Sequence, residues 1–149
     1  MPRATAARLQ LRPLARVLSV GAGFEPKGTK TNTVCIGEGL TDAFRAALTA
    51  LPSEVKISDI YCDMNGEPYR ADEYGFTGLR TSEAFDGMSD FVAPADCWGD
   101  VAAAGAPLHV MLAAVAGAKG YARGNIACVW ASAESGDRAA ALLVTGDSA

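Results

Sequence analysis

Hydrophobic and polar positions follow two periods along the chain, and the changes of period mark the predicted elements. Residues 15–22 combine β-branched side chains with period-two alternation and end at glycine, which is typical of a strand. Residues 40–51 carry apolar side chains at helical spacing, and Pro52 ends that helix. Residues 55–62 predict a second strand. This order predicts that the two strands are parallel neighbours joined by a right-handed crossover. The polar residues 24–33 between the first strand and the helix predict a flexible loop.

The second half of the chain predicts a further helix, a short strand and a hairpin. Residues 69–85 predict a helix that is broken near Gly75 or Gly78. Residues 91–93 predict a short strand, and the apolar residues 125–132 and 139–145 predict an antiparallel hairpin. The whole pattern predicts an α/β domain over residues 14–149, with a mixed sheet of about five strands and helices on both faces. Residues 1–13 are expected to form a flexible arm.

The most apolar segment of the chain follows a polar cluster that begins at Asp96. Between residues 101 and 118 the one strongly polar side chain is His109. We expect a helix from about residue 100 to 118, ending at Gly117 or Gly120. A helix that is apolar on every side must be covered on every side, so this helix is expected to lie between two layers, one of them supplied by a partner. Pro107 and His109 interrupt the run, so no membrane span is expected.

Composition narrows the class of function. The chain has 149 residues, half of them hydrophobic, and its net charge of −4 argues against nucleic-acid binding. Four widely spaced cysteines form no Cys-x-x-Cys pair and share a single histidine, so no metal site is expected. The arginine-rich N-terminus lacks the apolar core of a secretory signal, and reduced thiols suit a cytoplasmic protein.

The order of elements and three local motifs resemble the C-terminal half of the thiolase and β-ketoacyl synthase superfamily. In that family a strand ends in a His-Gly-Thr-x-Thr loop before an acidic helix, and here the sequence Asp-Met-Asn-Gly-Glu begins at Asp63 in that place. A Gly-His pair leads into the family's Ala/Gly-rich buried helix, and here Gly99 and Asp100 precede such a segment. The closing hairpin matches the family's active-site loop and last strand. The resemblance covers residues 14–145 and implies a thiolase-like half.

The resemblance also implies where the chemistry departs from the family. Asp63 and Asp100 take the places of both catalytic histidines, and an ionised carboxylate cannot donate a hydrogen bond to a developing oxyanion. The family's nucleophilic cysteine belongs to the N-terminal half. The leading expectation is therefore a domain without condensing activity of its own, acting as a subunit or interaction module. One alternative is half of an acyl-transferring, 3-oxoacyl-ACP synthase-like enzyme completed by a partner chain; another is an accessory protein of a bacterial secretion system.

These alternatives imply partners and substrates. The apolar helix predicted between residues 101 and 118 needs a covering partner, which is expected to be a second copy of this chain in a homodimer or a separate N-terminal-half chain. The substrate class implied by the resemblance is a thioester of CoA or of an acyl carrier protein, which would itself be a partner, and no resident cofactor is expected.

Three residues are candidates for catalysis. Cys97 stands at the predicted start of the apolar helix, where the helix dipole favours a thiolate, but no base is evident beside it and a structural thiol is the alternative. Asp63 and Asp100 are expected to converge, either sharing a proton or a cation, or capping a turn and a helix. His109 is expected to be a hydrogen-bonded core or interface residue. The residues expected to line a pocket are Asn65, Glu67, Trp98, Ser132 and Glu134.

Overall fold

The structure is a computed structural model that describes residues 1–27 and 33–146. Half of the predicted flexible loop, residues 28–32, lies outside the described residues. The predicted arm over residues 1–13 contains one short helix and is mostly exposed. The elements, in chain order, are α1 (Arg3–Arg8), β1 (Ala15–Phe24), α2 (Glu38–Leu48), β2 (Asp59–Cys62), α3 (Pro68–Thr81), β3 (Phe91–Val92), α4 (Ala95–Trp98), α5 (Gly105–Lys119), β4 (Ile126–Ser132) and β5 (Asp137–Thr145).

The five strands form one mixed sheet in the order β1-β5-β4-β2-β3. Strands β4 and β5 form the predicted antiparallel hairpin, and β2 runs parallel to both β3 and β4. The prediction that β1 and β2 are neighbours is wrong, because β1 pairs with β5 in antiparallel orientation. The tight hairpin fixes β5 beside β4, so β5 and β4 both lie between β1 and β2, and the crossover through α2 spans them.

One face of the sheet carries α2 and α3 over the larger core. The side chains that alternate toward this face include Ile60, Cys128 and Leu142, and they pack against Leu40 and Phe44 of α2. Trp130 of β4 stacks on Tyr74 of α3, with ring centroids 5.3 Å apart and planes 14° from parallel. On this face, an amphipathic helix packs on the sheet as the sequence predicts.

Helix α3 is continuous, so the predicted break near Gly75 or Gly78 is wrong. A glycine in a helix interior costs about 1 kcal/mol relative to alanine, which tertiary packing offsets here. A Cβ atom at Gly78 would lie 3.2 Å from Cε of Met88, so the helix packs closely at that position. A Cβ atom at Gly75 would meet no atom within 4 Å.

The opposite face of the sheet carries α5 over a smaller core. Helix α5 begins at Gly105, five residues later than predicted, because Gly99 at φ 77° and a 3-10 turn at Ala102–Ala104 precede it. It ends as predicted at Gly120, which adopts the left-handed conformation. His109 and Ala113 are buried against the sheet. Helices therefore cover both faces, as predicted.

The outer side of α5 is exposed in this chain. Met111 and Val115, one turn apart, are 58% and 45% exposed. By length and composition alone, residues Ala102–Lys119 are apolar enough to cross a membrane, and only 28% of that window is buried. The sheet therefore supplies one of the two layers expected around this helix.

Candidate functional site

A cavity of about 730 Å³ opens at the edge of the sheet where the parallel strands β2 and β4 end. Asp63 follows β2 directly, and Ser132 is the last residue of β4, so the parallel pairing of these strands brings the two residues together. The start of α5 and the segment before it form the facing wall. The polar and aromatic residues of the lining are Asp63, Arg70, Trp98, Asp100, His109, Ser132, Glu134, Asp137 and Arg138.

Arg70, on the first turn of α3, organises the polar wall of this cavity. Its side chain is 7% exposed and Nη1 lies 2.7 Å from Oδ2 of Asp63. Nε lies 3.1 Å from Oε2 of Glu67, and Nη2 lies 3.8 Å from Oδ2 of Asp100. Burial disfavours the charged guanidinium, but Asp63 and the other contacts raise the pKa of Arg70. One cation thus binds three carboxylates.

Asp63 is fixed from two sides. The Ser132 backbone N–H donates to Oδ2 of Asp63 over 2.6 Å, and the Ser132 hydroxyl donates to the same oxygen over 2.9 Å. Arg70 also donates to Oγ of Ser132 over 2.6 Å. Asp63 therefore links β2 to the end of β4 and does not cap a local turn.

Asp100 is held at the mouth of the cavity. Its Oδ1 accepts the backbone N–H of Ala102 over 2.7 Å, and its Oδ2 accepts Nδ2 of Asn65 over 3.2 Å. The hydrogen bond from Ala102 is the main cause that lowers the pKa of Asp100, with Asn65 and Arg70 contributing. Ala102 has a φ of 48°, a left-handed conformation that alanine rarely adopts. The Asp100 side chain thus binds the first residue of the 3-10 turn and does not cap α5, whose N-cap residue is Ala104.

Asn65 and Glu67 stand beside the cavity and brace its mouth. Asn65 Nδ2 donates to Oε2 of Glu67 over 2.7 Å, and this bond is the main cause that lowers the pKa of Glu67. Both residues then contact Asp100 or Arg70. Trp98 and Glu134 line the cavity directly, as does Ser132.

Cys97 lies apart from this group. It belongs to the four-residue helix α4, is exposed, and does not line the cavity. The argument from the dipole of the apolar helix fails, because that helix begins eight residues later in the chain, at Gly105. A catalytic role for Cys97 stays a prediction. Among the described residues, no base is found beside its thiol to support that role.

Two buried polar atoms of the cavity region have no hydrogen-bond partner among the described residues. They are Oδ1 of Asp63 and Nδ1 of His109. The prediction that His109 is buried is confirmed at 2% exposure, whereas the hydrogen bond also predicted for this residue is not found at Nδ1 in the described part of the chain. Burial lowers the pKa of His109, and the negative charge of Asp63 opposes that shift.

The structure therefore brings Asp63, Asp100 and three of the five predicted pocket residues to the cavity, and leaves Cys97 outside. Asn65 and Glu67 do not line the cavity but lie beside it, in contact with Asp100 and Arg70. The central role of Arg70 in the cluster was not predicted from the sequence. Arg138 was not predicted either; it is buried on the same wall and donates a hydrogen bond to Glu73 over 2.6 Å. The available signal for Arg70 was its spacing, three residues after Glu67 on a helix start. Arg138 has no comparable local signal, because its partner is distant in the sequence.

Comparisons with known proteins identify solved structures that share this fold. No protein-family model matches the sequence, and no curated protein matches it. Among solved structures, the chain is similar to an oxazolomycin ketosynthase domain of Streptomyces albus JA3453, OzmH KS8, at a TM-score of 0.72 and 14% identity over 97% of this chain and 48% of that one. It is also similar to the ishigamide ketosynthase/chain length factor, at a TM-score of 0.76 and 19% identity over 96% of this chain and 41% of that one.

The chain thus spans less than half of the length of the two solved structures it matches. Identities of 14% and 19% establish fold and not activity. The two solved structures cover nearly the whole of this chain, and this coverage agrees with its α/β architecture and mixed five-stranded sheet. The chain has the thiolase-like fold of the ketosynthases.

Proposed function

We propose that this chain is a thiolase-like half-domain without condensing activity of its own, which works as a subunit or interaction module beside a second thiolase-like half. The observation that carries the proposal is the ion-paired cluster around Arg70. The resemblance implies that Asp63 and Asp100 take the places of the family's two histidines, and Arg70 contacts both carboxylates.

The cluster is poorly suited to thioester chemistry. A condensing site needs hydrogen-bond donors aimed at the oxygen on which negative charge develops. Ionised carboxylates only accept hydrogen bonds, and they repel that charge. The donors of Arg70 are directed to the three acids and to Ser132. These contacts therefore do not form an oxyanion hole.

A partner is supported by the exposed apolar surface beside α5. Val17 pairs opposite Leu143, which packs under α5, so Val17 lies on the α5 face of the sheet, and it is 58% exposed. Val20 lies on the same face, opposite Ala141, and is 65% exposed. Together with the outer side of α5 these residues leave apolar area facing solvent, which is typical of an interaction surface. One similar structure is named a ketosynthase/chain length factor, and each structure is more than twice as long as the chain.

The experiment is a search for acyl transfer by the purified chain. The chain is incubated with acyl-CoA and with acyl-carrier-protein thioesters and analysed by intact-mass spectrometry, with Cys97→Ser as the matched control. We expect no acyl adduct on the wild-type chain and equal thioester consumption in both samples. A stable adduct on Cys97 that the Cys97→Ser control lacks would contradict the proposal.

A second candidate function is one half of an acyl-transferring enzyme completed by another chain. It is favoured by the two unpartnered buried atoms, Oδ1 of Asp63 and Nδ1 of His109, beside a cavity of about 730 Å³. A ligand or partner that supplies the missing hydrogen bonds would account for both atoms. The test is acyl transfer by the chain together with a separate chain that carries the cysteine-bearing half. If Asp100→Ala leaves every measured transfer by that pair unchanged, this candidate fails.

A further inference from the structure

A second cluster of reactive side chains lies beside Arg138, outside the Arg70 cluster. Glu25, Cys35 and Glu73 each offer one ligand atom, and these atoms all lie within 4.8 Å of one another. The three residues are 2%, 6% and 0% exposed. We call them the Glu25–Cys35–Glu73 cluster.

Three separate elements bring the cluster together. Glu25 follows β1, Cys35 precedes α2, and Glu73 lies on α3. The chain approaches α3 closely at Gly37, where φ is 67° and a Cβ atom would lie 2.5 Å from the carbonyl oxygen of Glu73. The glycine therefore allows the segment that carries Cys35 to dock against Glu73.

Ordinary structural roles explain part of this cluster. The carboxylate of Glu25 accepts the backbone N–H of Gly39 over 3.1 Å at the start of α2, and that of Lys27 over 3.2 Å. Oε1 of Glu73 accepts Nε of Arg138 over 2.6 Å. Oε2 of Glu73 is fully buried and has no hydrogen-bond partner among the described residues. Helix capping and the ion pair leave this oxygen unexplained.

Within the described residues, the charges of this cluster do not cancel when both carboxylates are ionised. Glu25, Glu73 and Arg138 then leave a single negative charge in a dry interior, which is costly without a counter-charge, and burial accordingly raises the pKa of Glu73. A divalent cation bound to Cys35 as thiolate would bring the total charge of the group to zero. It would also give Oε2 of Glu73 a partner.

We propose that Glu25, Cys35 and Glu73 bind one Zn²⁺ ion, with a water molecule as the fourth ligand. The thiolate disfavours Mg²⁺ and Ca²⁺, and Zn²⁺ accepts thiolate and carboxylate ligands together. Donors at about 2.0–2.3 Å from a tetrahedral Zn²⁺ lie about 3.5 Å apart, so the side chains need to approach one another by at most about 1.3 Å. The sequence predicts no metal site because it contains no Cys-x-x-Cys pair and a single histidine, whereas here two carboxylates serve as ligands beside one cysteine.

The test uses the full-length chain with Cys97→Ser as the background, which removes the exposed thiol that would bind metal non-specifically. We expect one equivalent of Zn²⁺ to bind in competition with a chromophoric chelator. Co²⁺ in place of Zn²⁺ is expected to give a thiolate-to-metal charge-transfer absorption. Adding Cys35→Ser should abolish that absorption and weaken Zn²⁺ binding at least tenfold, since even an outer-shell change costs about 10- to 100-fold.

The matched control is Cys128→Ser in the same background, because Cys128 is a buried thiol in the central strand β4. This variant should retain both the Zn²⁺ stoichiometry and the Co²⁺ absorption. Glu73→Gln should also weaken binding, and Cys35→Ser stands as an independent test if loss of the Arg138 partner prevents folding. Failure of the background chain to bind Zn²⁺ in equimolar amount, or an unchanged Co²⁺ spectrum with Cys35→Ser, would overturn the proposal. Neither result bears on the proposed function.

Discussion

At the scale of single residues, burial decides the protonation state of the one histidine. His109 is 2% exposed on the sheet-facing side of α5. Desolvation lowers its pKa below the ordinary value of 6.5, and Asp63 only partly opposes this shift. The folded chain therefore keeps a neutral imidazole at pH values where the unfolded chain binds a proton.

The free energy of unfolding should consequently depend on pH through His109. As pH falls below 6.5, the unfolded state gains a proton that the folded state does not, so stability contributed by neutral His109 is present above 6.5 and is lost as pH decreases. We expect urea unfolding between about pH 7.5 and about pH 5.5 to show a smaller loss of stability for His109→Gln than for the wild-type chain. Equal losses in the two proteins would contradict the assignment.

At the scale of elements, glycines allow β1 and α2 to pack with their backbones in close contact. A Cβ atom at Gly21 would lie 2.0 Å from the carbonyl oxygen of Ala43, and one at Gly23 would lie 2.0 Å from that of Gly39. The Ser19 hydroxyl donates to the carbonyl of Ala47 over 2.6 Å. Glycine weakens a strand, but here it lets a helix backbone rest directly on the strand.

Alanine substitutions at two glycines should therefore have opposite effects. Gly21→Ala forces backbone atoms apart, and we expect it to lower the free energy of unfolding by about 3 kcal/mol. Gly75→Ala, in the continuous helix α3, meets open space, and we expect it to raise the free energy of unfolding by about 0.5–1 kcal/mol. Urea denaturation of both variants measures the difference. A Gly21→Ala protein as stable as the wild type would show that the packing of α2 on β1 is looser than described.

At the scale of the whole molecule, the two faces of the sheet differ in how completely they are covered. The face under α2 and α3 is closed over a core that includes Phe44 and Trp130. The face under α5 is only partly covered, with Val20 of β1 exposed beside the helix and Met111 exposed on its outer side. Apolar area of this kind is removed from water by association.

We expect the purified chain to be a dimer or larger assembly in light scattering. Met111→Glu, which places a charge on the outer side of α5, should shift the assembly toward a monomer without changing the circular dichroism spectrum. Leu79→Glu is the matched control, because Leu79 is 80% exposed on α3, on the other face of the sheet. A wild-type chain that remains strictly monomeric would contradict this account of the α5 face.

The hydrophobic pattern alone determines most of the elements of this protein. The strand at residues 15–22, the helix ahead of Pro52 and the closing hairpin are all found where the pattern predicts them. The end of α5 at Gly120 also follows from local chemistry, since glycine adopts the left-handed conformation that ends a helix. These features depend on neighbours a few residues apart, which a sequence displays directly.

The tertiary structure alone decides which distant residues meet. The place of β1 at the edge of the sheet follows from pairing with β5 at the other end of the chain. Arg70 was visible as one charge among several, and only the fold sets it between Asp63 and Asp100. Cys35 and Glu73 likewise carry no common motif and meet through the packing of α2 on α3. The sequence shows which side chains are present, but contact between distant residues depends on long-range packing, which local periodicity does not specify.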